Sequence, residues 1–158
     1  MTKENLKKII YLVLVLMWML TVFMFSSQKG EESQRTSNEV TEIIVEIFTH
    51  NQNITESEKL ELVEYIDYYI RKIAHYSIYT LGGILIHNYI NTYNISGKKV
   101  ILISILIGII YAILDESHQY FIAGRSARIL DVLIDSFGIL TGVIIINIVK
   151  ILKKPLYN

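Results

Sequence analysis

Four long apolar runs limit what this chain can fold into. They cover residues 9–25, 70–90, 100–114 and 129–152. A helix needs about 20 mostly apolar residues to cross the hydrocarbon core of a bilayer, and flanking residues extend the two shorter runs toward that length. The pattern predicts an all-α membrane protein with four transmembrane helices, at residues 9–27, 70–90, 100–121 and 129–152.

The lysines predict the orientation of these helices. In membrane proteins, basic residues of short loops are concentrated on the cytoplasmic side. The chain has lysines near its N-terminus, between the second and third runs, and near its C-terminus: Lys3, Lys7, Lys8, Lys98, Lys99, Lys150, Lys153 and Lys154. Both termini are therefore predicted in the cytoplasm, and residues 26–69 outside the cell membrane.

The segment 29–69 is predicted to be an extracytoplasmic helical insertion. Thr36-x-x-Glu39 and Thr55-x-x-Glu58 have the spacing of capping boxes, which mark the starts of helices. After the first box, apolar residues recur with helical spacing, at positions 40, 43, 44, 47 and 48. The opposite face is acidic, which disfavours anionic lipid. We therefore expect the apolar face to pack on protein, over the outer ends of the spans.

Small residues recur at the spacing of helix contacts. They are Gly82 and Gly83 in the second span, Ser104, Gly108 and Ala112 in the third, and Gly138 and Gly142 in the fourth. In lipid, faces of small residues let helices approach closely. These positions are predicted to serve packing and not chemistry.

The composition excludes several classes of protein. With 158 residues the chain is too short for two ordinary domains, so one membrane domain over residues 1–158 is predicted. The formal net charge is zero, which argues against a nucleic-acid partner. The chain has no cysteine, which rules out a disulfide framework, a thiolate metal site and a cysteine nucleophile. No cofactor is expected.

Ionisable and polar residues gather at the predicted outer ends of all four spans. Charges in or beside a span are costly, so they are functional candidates. The candidate substrate- or anion-binding residues are Ser26, Ser27, Gln28, Arg71, Lys72, Asp115, Gln119, Arg125 and Asp135. His75 and His118 are candidates for proton transfer near neutral pH, with Glu116 and Asp131 orienting them. Either serine could be a nucleophile if a histidine lies within reach.

Two other interpretations of this cluster stay open. Four basic residues balance four acidic ones, so the cluster could be an ion-pair network that locks the helix ends together; they are Arg71, Lys72, Arg125, Arg128, Asp115, Glu116, Asp131 and Asp135. Desolvated ion pairs are poor stabilisers, however, which favours a functional site. Zinc accepts imidazole and carboxylate ligands, but the spacing matches no established metal motif, and no metal is predicted.

Four motifs occur in order, each at the outer end of a predicted span. They are Phe25-Ser26-Ser27-Gln28, Arg71-Lys72-x-Ala74-His75, Asp115-Glu116-x-His118-Gln119-x-Phe121-x-x-Gly124-Arg125 and Asp131-x-x-x-Asp135-x-x-Gly138-x-x-x-Gly142. Together they resemble the signature of the VanZ-like family of small bacterial membrane proteins. The resemblance extends over nearly the whole chain except the segment 29–69. It implies asparagine in many relatives at position 135, where this chain has aspartate.

The resemblance implies a role at the cell envelope, because the named member of the family is associated with low-level resistance to the glycopeptide teicoplanin. We expect a polar pocket on the outer face of the bacterial cell membrane that binds, and in an enzymatic version modifies, an anionic lipid-linked envelope component. The guanidinium fork of arginine suits phosphate or carboxylate. The expected partner is a membrane lipid or a lipid-linked cell-wall precursor.

Two alternatives to this hypothesis stay open. The first is a non-catalytic binding protein that reduces the capture of lipoglycopeptides at the cell surface. It would need the anion pocket but no proton-transfer group. The second is a small transporter that acts as an oligomer, although the cytoplasmic halves of the spans carry no matching polar residues.

Overall fold

The computed structural model describes residues 2–50 and 54–153, and within these ranges it has five helices and no strand. The helices are α1 (Lys3–Ser26), α2 (Gly30–Thr49), α3 (Glu56–Ile90), α4 (Gly97–Gln119) and α5 (Ile129–Leu152). α1, α3, α4 and α5 pack together as a bundle in which α3 makes its largest contact with α5, whereas α2 packs against α3. The prediction of an all-α fold is confirmed.

Three of the described helices, α1, α4 and α5, are long and apolar enough to cross a membrane. Apolar side chains on their outer surfaces are exposed, as at Met17, Leu106 and Phe137, which is typical of helices that are apolar all round and lie in lipid. The remaining predicted span, the second one at residues 70–90, is the C-terminal part of α3, where charged and histidine side chains interrupt the apolar sequence. The four-span arrangement and its orientation stay predictions.

α3 is one continuous helix of 35 residues, which corresponds to a length of about 52 Å at about 1.5 Å per residue. It therefore joins part of the predicted insertion to the predicted second span without a break. The capping box predicted at its start is confirmed. The Thr55 hydroxyl accepts the Glu58 N–H at 3.3 Å, and the Glu58 carboxylate accepts the Thr55 N–H at 2.8 Å. The Thr55 N–H and the Thr55 hydroxyl both donate to the Glu58 carboxylate, at 2.8 Å each, and these two hydrogen bonds lower the pKa of the Glu58 carboxyl.

The other predicted capping box, Thr36-x-x-Glu39, is wrong. α2 already begins at Gly30, so Thr36 lies within the helix, where its hydroxyl donates to the carbonyl of Glu32 at 3.1 Å. The start of α2 is set by a long-range contact that the sequence pattern does not show. Gly30 packs directly on Gly124, and its N–H donates to the carbonyl of the preceding loop residue, Ala123, at 3.0 Å.

The predicted packing of α2 is also wrong. The apolar side chains Val40, Ile43, Ile47 and Phe48 are exposed, whereas the buried residues of α2 are Thr41 and Val45. The Thr41 hydroxyl donates to the buried carboxylate of Asp67 on α3 at 3.3 Å. The helix therefore uses a partly polar face for its contact with α3, which an apolar stripe cannot reveal.

The glycines bring α3 and α5 close together, as predicted. A Cβ atom at Gly142 would overlap the carbonyl oxygen of Thr80, and one at Gly83 would overlap the carbonyl oxygen of Ile139. Small residues at helix contacts allow this kind of approach. The contact holds the N-terminal part of α5 beside the segment of α3 that carries His75.

Candidate functional site

A cavity of about 520 Å³ lies at the end of the bundle where α1 and α4 end and α5 begins. Its walls come from the end of α1, the first half of α2, the middle of α3 and the loop between α4 and α5. Four basic side chains and one acidic side chain line it: Arg71, Lys72, Arg125, Arg128 and Asp131. Apolar side chains form another part of its wall, among them Val22, Phe25, Val40, Ile70 and Ile78.

The cavity brings together many of the residues predicted for the site. Those that line it are Ser26, Gln28, Arg71, Lys72, His75, Gln119, Arg125 and Asp131. Three predicted acidic residues are buried behind the lining: Asp115, Glu116 and Asp135. The two remaining predicted residues, Ser27 and His118, do not line the cavity.

His118 lies apart from His75 and contacts α1. Its Nε2 atom is 3.2 Å from the hydroxyl of Ser27, and its ring stacks on Phe23 with the ring centroids 4.8 Å apart. The structure therefore does not bring the two predicted proton-transfer histidines together. The Ser27 hydroxyl donates to the carbonyl of Phe23 at 2.7 Å, so its proton is not directed at His118 as an activated nucleophile would require. The contact also lies outside the cavity, and a proton-transfer role for His118 stays a prediction.

His75 lines the cavity and has a carboxylate behind it. Its Nδ1 atom is 3.5 Å from Oδ1 of Asp135, which is fully buried. Neither carboxylate oxygen of Asp135 has a hydrogen bond to a described residue. The sequence-based prediction named Glu116 and Asp131 as the residues that orient the histidines, whereas the carboxylate nearest to His75 Nδ1 in the structure is that of Asp135.

Glu116 and Asp131 have other partners. Glu116 accepts the backbone N–H of Arg128, the residue that precedes α5, at 2.6 Å. Arg128 is the N-cap residue of α5, but its side chain makes no capping hydrogen bond. The Glu116 carboxylate instead satisfies one of the free N–H groups at the start of this helix. Asp131 forms an ion pair with Lys72. On the same helix as Lys72, Arg71 is paired with Asp67 at 3.1 Å.

Arg125 closes the C-terminal end of α1. Its guanidinium donates to the carbonyl of Phe25 at 2.9 Å, to the carbonyl of Gln28 at 3.1 Å and to the side chain of Gln119 at 3.1 Å. The last turn of α1 has no basic residue of its own, and carbonyls at a helix end need donors. Burial lowers the pKa of Arg125, but a guanidinium keeps its charge in proteins.

Gln119 extends this arrangement into the bundle. Its amide donates to Asp115 at 3.0 Å and to the Ser26 hydroxyl at 3.3 Å. The motif residues at the end of α4 therefore connect α1, α4 and the following loop through side-chain hydrogen bonds. This connection is structural, and it fixes the wall of the cavity on that side.

The sequence-based prediction missed two parts of the site. Arg128 was counted among the basic residues but given no role, although it lines the cavity and its Nε atom donates to the nearby Ser126 hydroxyl at 3.2 Å. The first half of α2 was also missed. It presents polar side chains to the cavity: Ser33, Gln34, Thr36 and Ser37. The polar residues of this half could have indicated a cavity wall. The incorrect capping box started the helix at Thr36, however, so the residues before it were not recognised as part of α2.

Metal binding has no support from the side-chain positions. Among residues 2–50 and 54–153, no group of three or more histidine or acidic side chains could hold a metal ion. His75 and Asp135 form a pair that lies beside the ammonium of Lys72. A nearby cation disfavours a second positive charge.

The helices and the cavity define a class: a helical membrane protein with a basic cavity at one end of its bundle. A protein-family model described as VanZ/LLP1 matches residues 10–150. The chain therefore belongs to the VanZ/LLP1 family, which confirms the resemblance seen in the four motifs. Neither a curated protein nor a solved structure matches the chain.

Proposed function

We propose that this protein binds an anionic, lipid-linked component of the bacterial cell envelope in the cavity, on the outer side of the membrane. The observation that carries the proposal is the lining of the cavity by four basic side chains and only one acidic side chain. The carboxylates of Asp115, Glu116 and Asp135 are buried behind this lining, so the charged side chains that a ligand would meet in the cavity are mainly basic, which favours an anion. Phosphate and carboxylate groups match the donors of arginine.

The apolar part of the lining supports an amphiphilic ligand. Val22 and Phe25 on α1 and Ile70 and Ile78 on α3 line the cavity together with the basic residues. Phe25 is also exposed on the outer surface of α1, which is apolar along most of its length. A lipid could therefore keep its chains along α1 while its head group enters the cavity.

Arg128 is the basic residue best placed to bind the anion. Arg125 is engaged by the end of α1, Lys72 by Asp131 and Arg71 by Asp67. Among the described residues, the guanidinium of Arg128 has only the Ser126 hydroxyl as a hydrogen-bond partner, so most of its donors are available to a ligand. Hydrogen bonds to charged groups contribute about 1.5–3 kcal/mol each.

Replacing Arg128 tests this proposal. The full chain is placed in nanodiscs, and binding of phosphatidylglycerol is compared with binding of neutral phosphatidylcholine by native mass spectrometry. We expect the wild type to prefer the anionic lipid and Arg128→Gln to weaken that binding by about 10- to 100-fold. The matched control is Arg35→Gln, because Arg35 is exposed and pairs only with Glu39 on its own helix. Equal binding of both lipids, or equal binding by both variants, would contradict the proposal.

Teicoplanin susceptibility of a sensitive bacterial host is the second readout for the same two variants. Family membership supports a link to glycopeptide resistance as part of this proposal. We expect the wild type and Arg35→Gln to raise the inhibitory concentration of teicoplanin, and Arg128→Gln to raise it less at equal protein level. If Arg128→Gln raised the inhibitory concentration as much as the wild type does, resistance would not depend on anion binding by Arg128.

A further inference from the structure

We propose that the cavity also hydrolyses its ligand: His75 transfers a proton during cleavage of a lipid-linked phosphate monoester, and Asp135 positions His75. This inference rests on the proposed function and adds a reaction class to it. It comes from a pair of residues that anion binding alone does not use. His75 faces the cavity, and Asp135 lies directly behind it.

The pair is an ion-pair contact without a hydrogen bond in this structure, and catalytic contacts of this kind often tighten only when the substrate binds. Nδ1 of His75 lies 3.5 Å from Oδ1 of Asp135, so the other ring nitrogen, Nε2, is the one left for the cavity. A histidine held through one nitrogen by a carboxylate uses the other as general base or acid. Asp135 does not line the cavity. It is therefore a positioning residue, and His75 is the catalytic residue.

The burial of Asp135 argues for a role beyond packing. Asp135 is fully buried, and neither of its carboxylate oxygens has a hydrogen-bond partner among the described residues. A buried carboxylate with so few partners is costly, and an apolar side chain of similar size would hold the helices together at lower cost. The cost is explained if the carboxylate is needed to stabilise an imidazolium when His75 takes up a proton.

The basic residues complete the requirements of phosphoryl transfer. In this reaction the protein acts mainly by positioning the phosphoryl group and by stabilising the negative charge on its oxygens. Arg71, Lys72 and Arg128 line the same cavity as His75. A phosphate held by these residues would lie in the cavity that His75 also lines.

The reaction balances with water as the only co-reactant. Nε2 of His75 accepts a proton from a water molecule while the water oxygen forms a bond to phosphorus. The bond between phosphorus and the ester oxygen of the lipid breaks. That oxygen takes the proton from the imidazolium, which releases a lipid alcohol and inorganic phosphate and returns His75 to its neutral form.

Four charged groups act on His75 and must be considered in its pH dependence. They are Lys72 on α3, Asp115 and Glu116 on α4, and Asp135 on α5. Only Asp135 approaches a ring nitrogen of His75 within ion-pair distance. Removing the charge of Asp135 should therefore alter the pH profile of the reaction, whereas a purely structural role of Asp135 would change the amount of folded protein and leave the profile in place.

The test uses the full chain reconstituted in vesicles with two monoester probes, phosphatidic acid and a polyprenyl phosphate, and measures released inorganic phosphate. We expect release from at least one probe, and we expect His75→Gln to lower the rate by about 10²- to 10⁴-fold without weakening probe binding. The matched control is His50→Gln, because His50 is exposed at the end of α2. Asp135→Asn should lower the rate less than His75→Gln and should shift the pH optimum.

Each outcome separates this inference from the proposed function. Binding of the probes without phosphate release overturns hydrolysis and leaves anion binding in place, whereas absence of binding contradicts both. Wild-type turnover by His75→Gln also overturns the inference. If His75→Gln does not fold, the pH profile of Asp135→Asn decides, and a profile equal to that of the wild type contradicts the role of Asp135.

Discussion

Arg125 and Glu116 have the residue types expected of a catalytic or anion-binding site, yet both contact backbone groups at helix ends. Arg125 donates to two carbonyls at the end of α1, and Glu116 accepts an N–H at the start of α5. Backbone groups at helix ends lack partners within the helix, so such contacts stabilise the fold. Part of the motif at the end of α4 therefore builds the cavity, whereas the proposed binding and reaction depend on Arg128, His75 and Asp135.

Arg125 gives a prediction at this scale. Arg125→Gln and Arg125→Lys should both destabilise the protein by about 1–3 kcal/mol, because neither side chain can reach two carbonyls and the Gln119 amide at once. The measurement is thermal unfolding in detergent, with Arg35→Gln as the control, since an exposed substitution should change stability by no more than about 0.5 kcal/mol. If Arg125→Lys kept wild-type stability, the positive charge alone would account for the stabilising effect of Arg125, and its hydrogen bonds to the carbonyls would not be needed.

Among the helices, the contact of α3 with α5 places the components of the site. Glycines on both helices let the backbones approach until a carbonyl oxygen of one lies where a Cβ atom of the other would be. The pairs of Lys72 with Asp131 and His75 with Asp135 connect the same two helices. A small change in their separation would therefore act directly on the site.

Gly142 tests the contact between these helices. Gly142→Ala should destabilise the protein by about 1–3 kcal/mol, the usual cost of overpacking, because its Cβ atom would overlap the Thr80 carbonyl. Gly97→Ala is the matched control, since apart from the neighbouring residues and the backbone of its own helix no described atom lies within 4 Å of the position of its Cβ, and the change should be neutral or slightly stabilising. Thermal unfolding in detergent compares the two. If the two substitutions changed the stability equally, α3 and α5 could move apart at Gly142 without a loss of stability, which would contradict the prediction.

The whole molecule is strongly asymmetric in charge despite its formal net charge of zero. The hairpin of α2 with the first part of α3 is rich in glutamate, whereas lysines occupy the opposite end of the bundle. This asymmetry follows the distribution expected of a protein whose basic loops stay in the cytoplasm. It predicts that the cavity and the hairpin lie outside.

Cysteine labelling tests this orientation, because the chain has no cysteine of its own. Glu61 lies on the hairpin and Lys98 at the opposite end of the bundle, and both are exposed. In intact cells, an impermeant thiol reagent should label Glu61→Cys and should label Lys98→Cys only after permeabilisation. The reverse result would place the cavity in the cytoplasm and contradict a role on the outer face of the membrane.

Local sequence patterns predicted the features that depend on neighbouring residues. The first and last residues of α5 follow from the apolar run that forms it. The capping box at Thr55 follows from the side chains of two residues three positions apart. The apolar runs also placed most of the site residues at one end of the bundle, because each run ends with polar residues on that side. The sequence therefore predicted eight of the residues that line the cavity, but not Arg128 or the polar residues of α2.

Features that depend on distant contacts could not be predicted in this way. Arg125 caps a helix about a hundred positions away in the chain, and α2 starts early because Gly30 meets Gly124. The face of α2 was assigned wrongly because its contact with α3 centres on the polar side chains of Thr41 and Asp67. The pairing of His75 with Asp135 also depends on the relative rotation of two helices, which their sequences do not specify.

The continuity of α3 limits how the length of the chain can change during evolution. Inserting one residue into a helix turns everything on one side of the insertion by about 100° and shifts it by about 1.5 Å. Between Asp67 and His75, such an insertion would break either the contact with α2 or the alignment with Asp135. Related chains should therefore differ in length at the connection between α2 and α3 or beyond the bundle, and should keep a constant number of residues from Asp67 to His75.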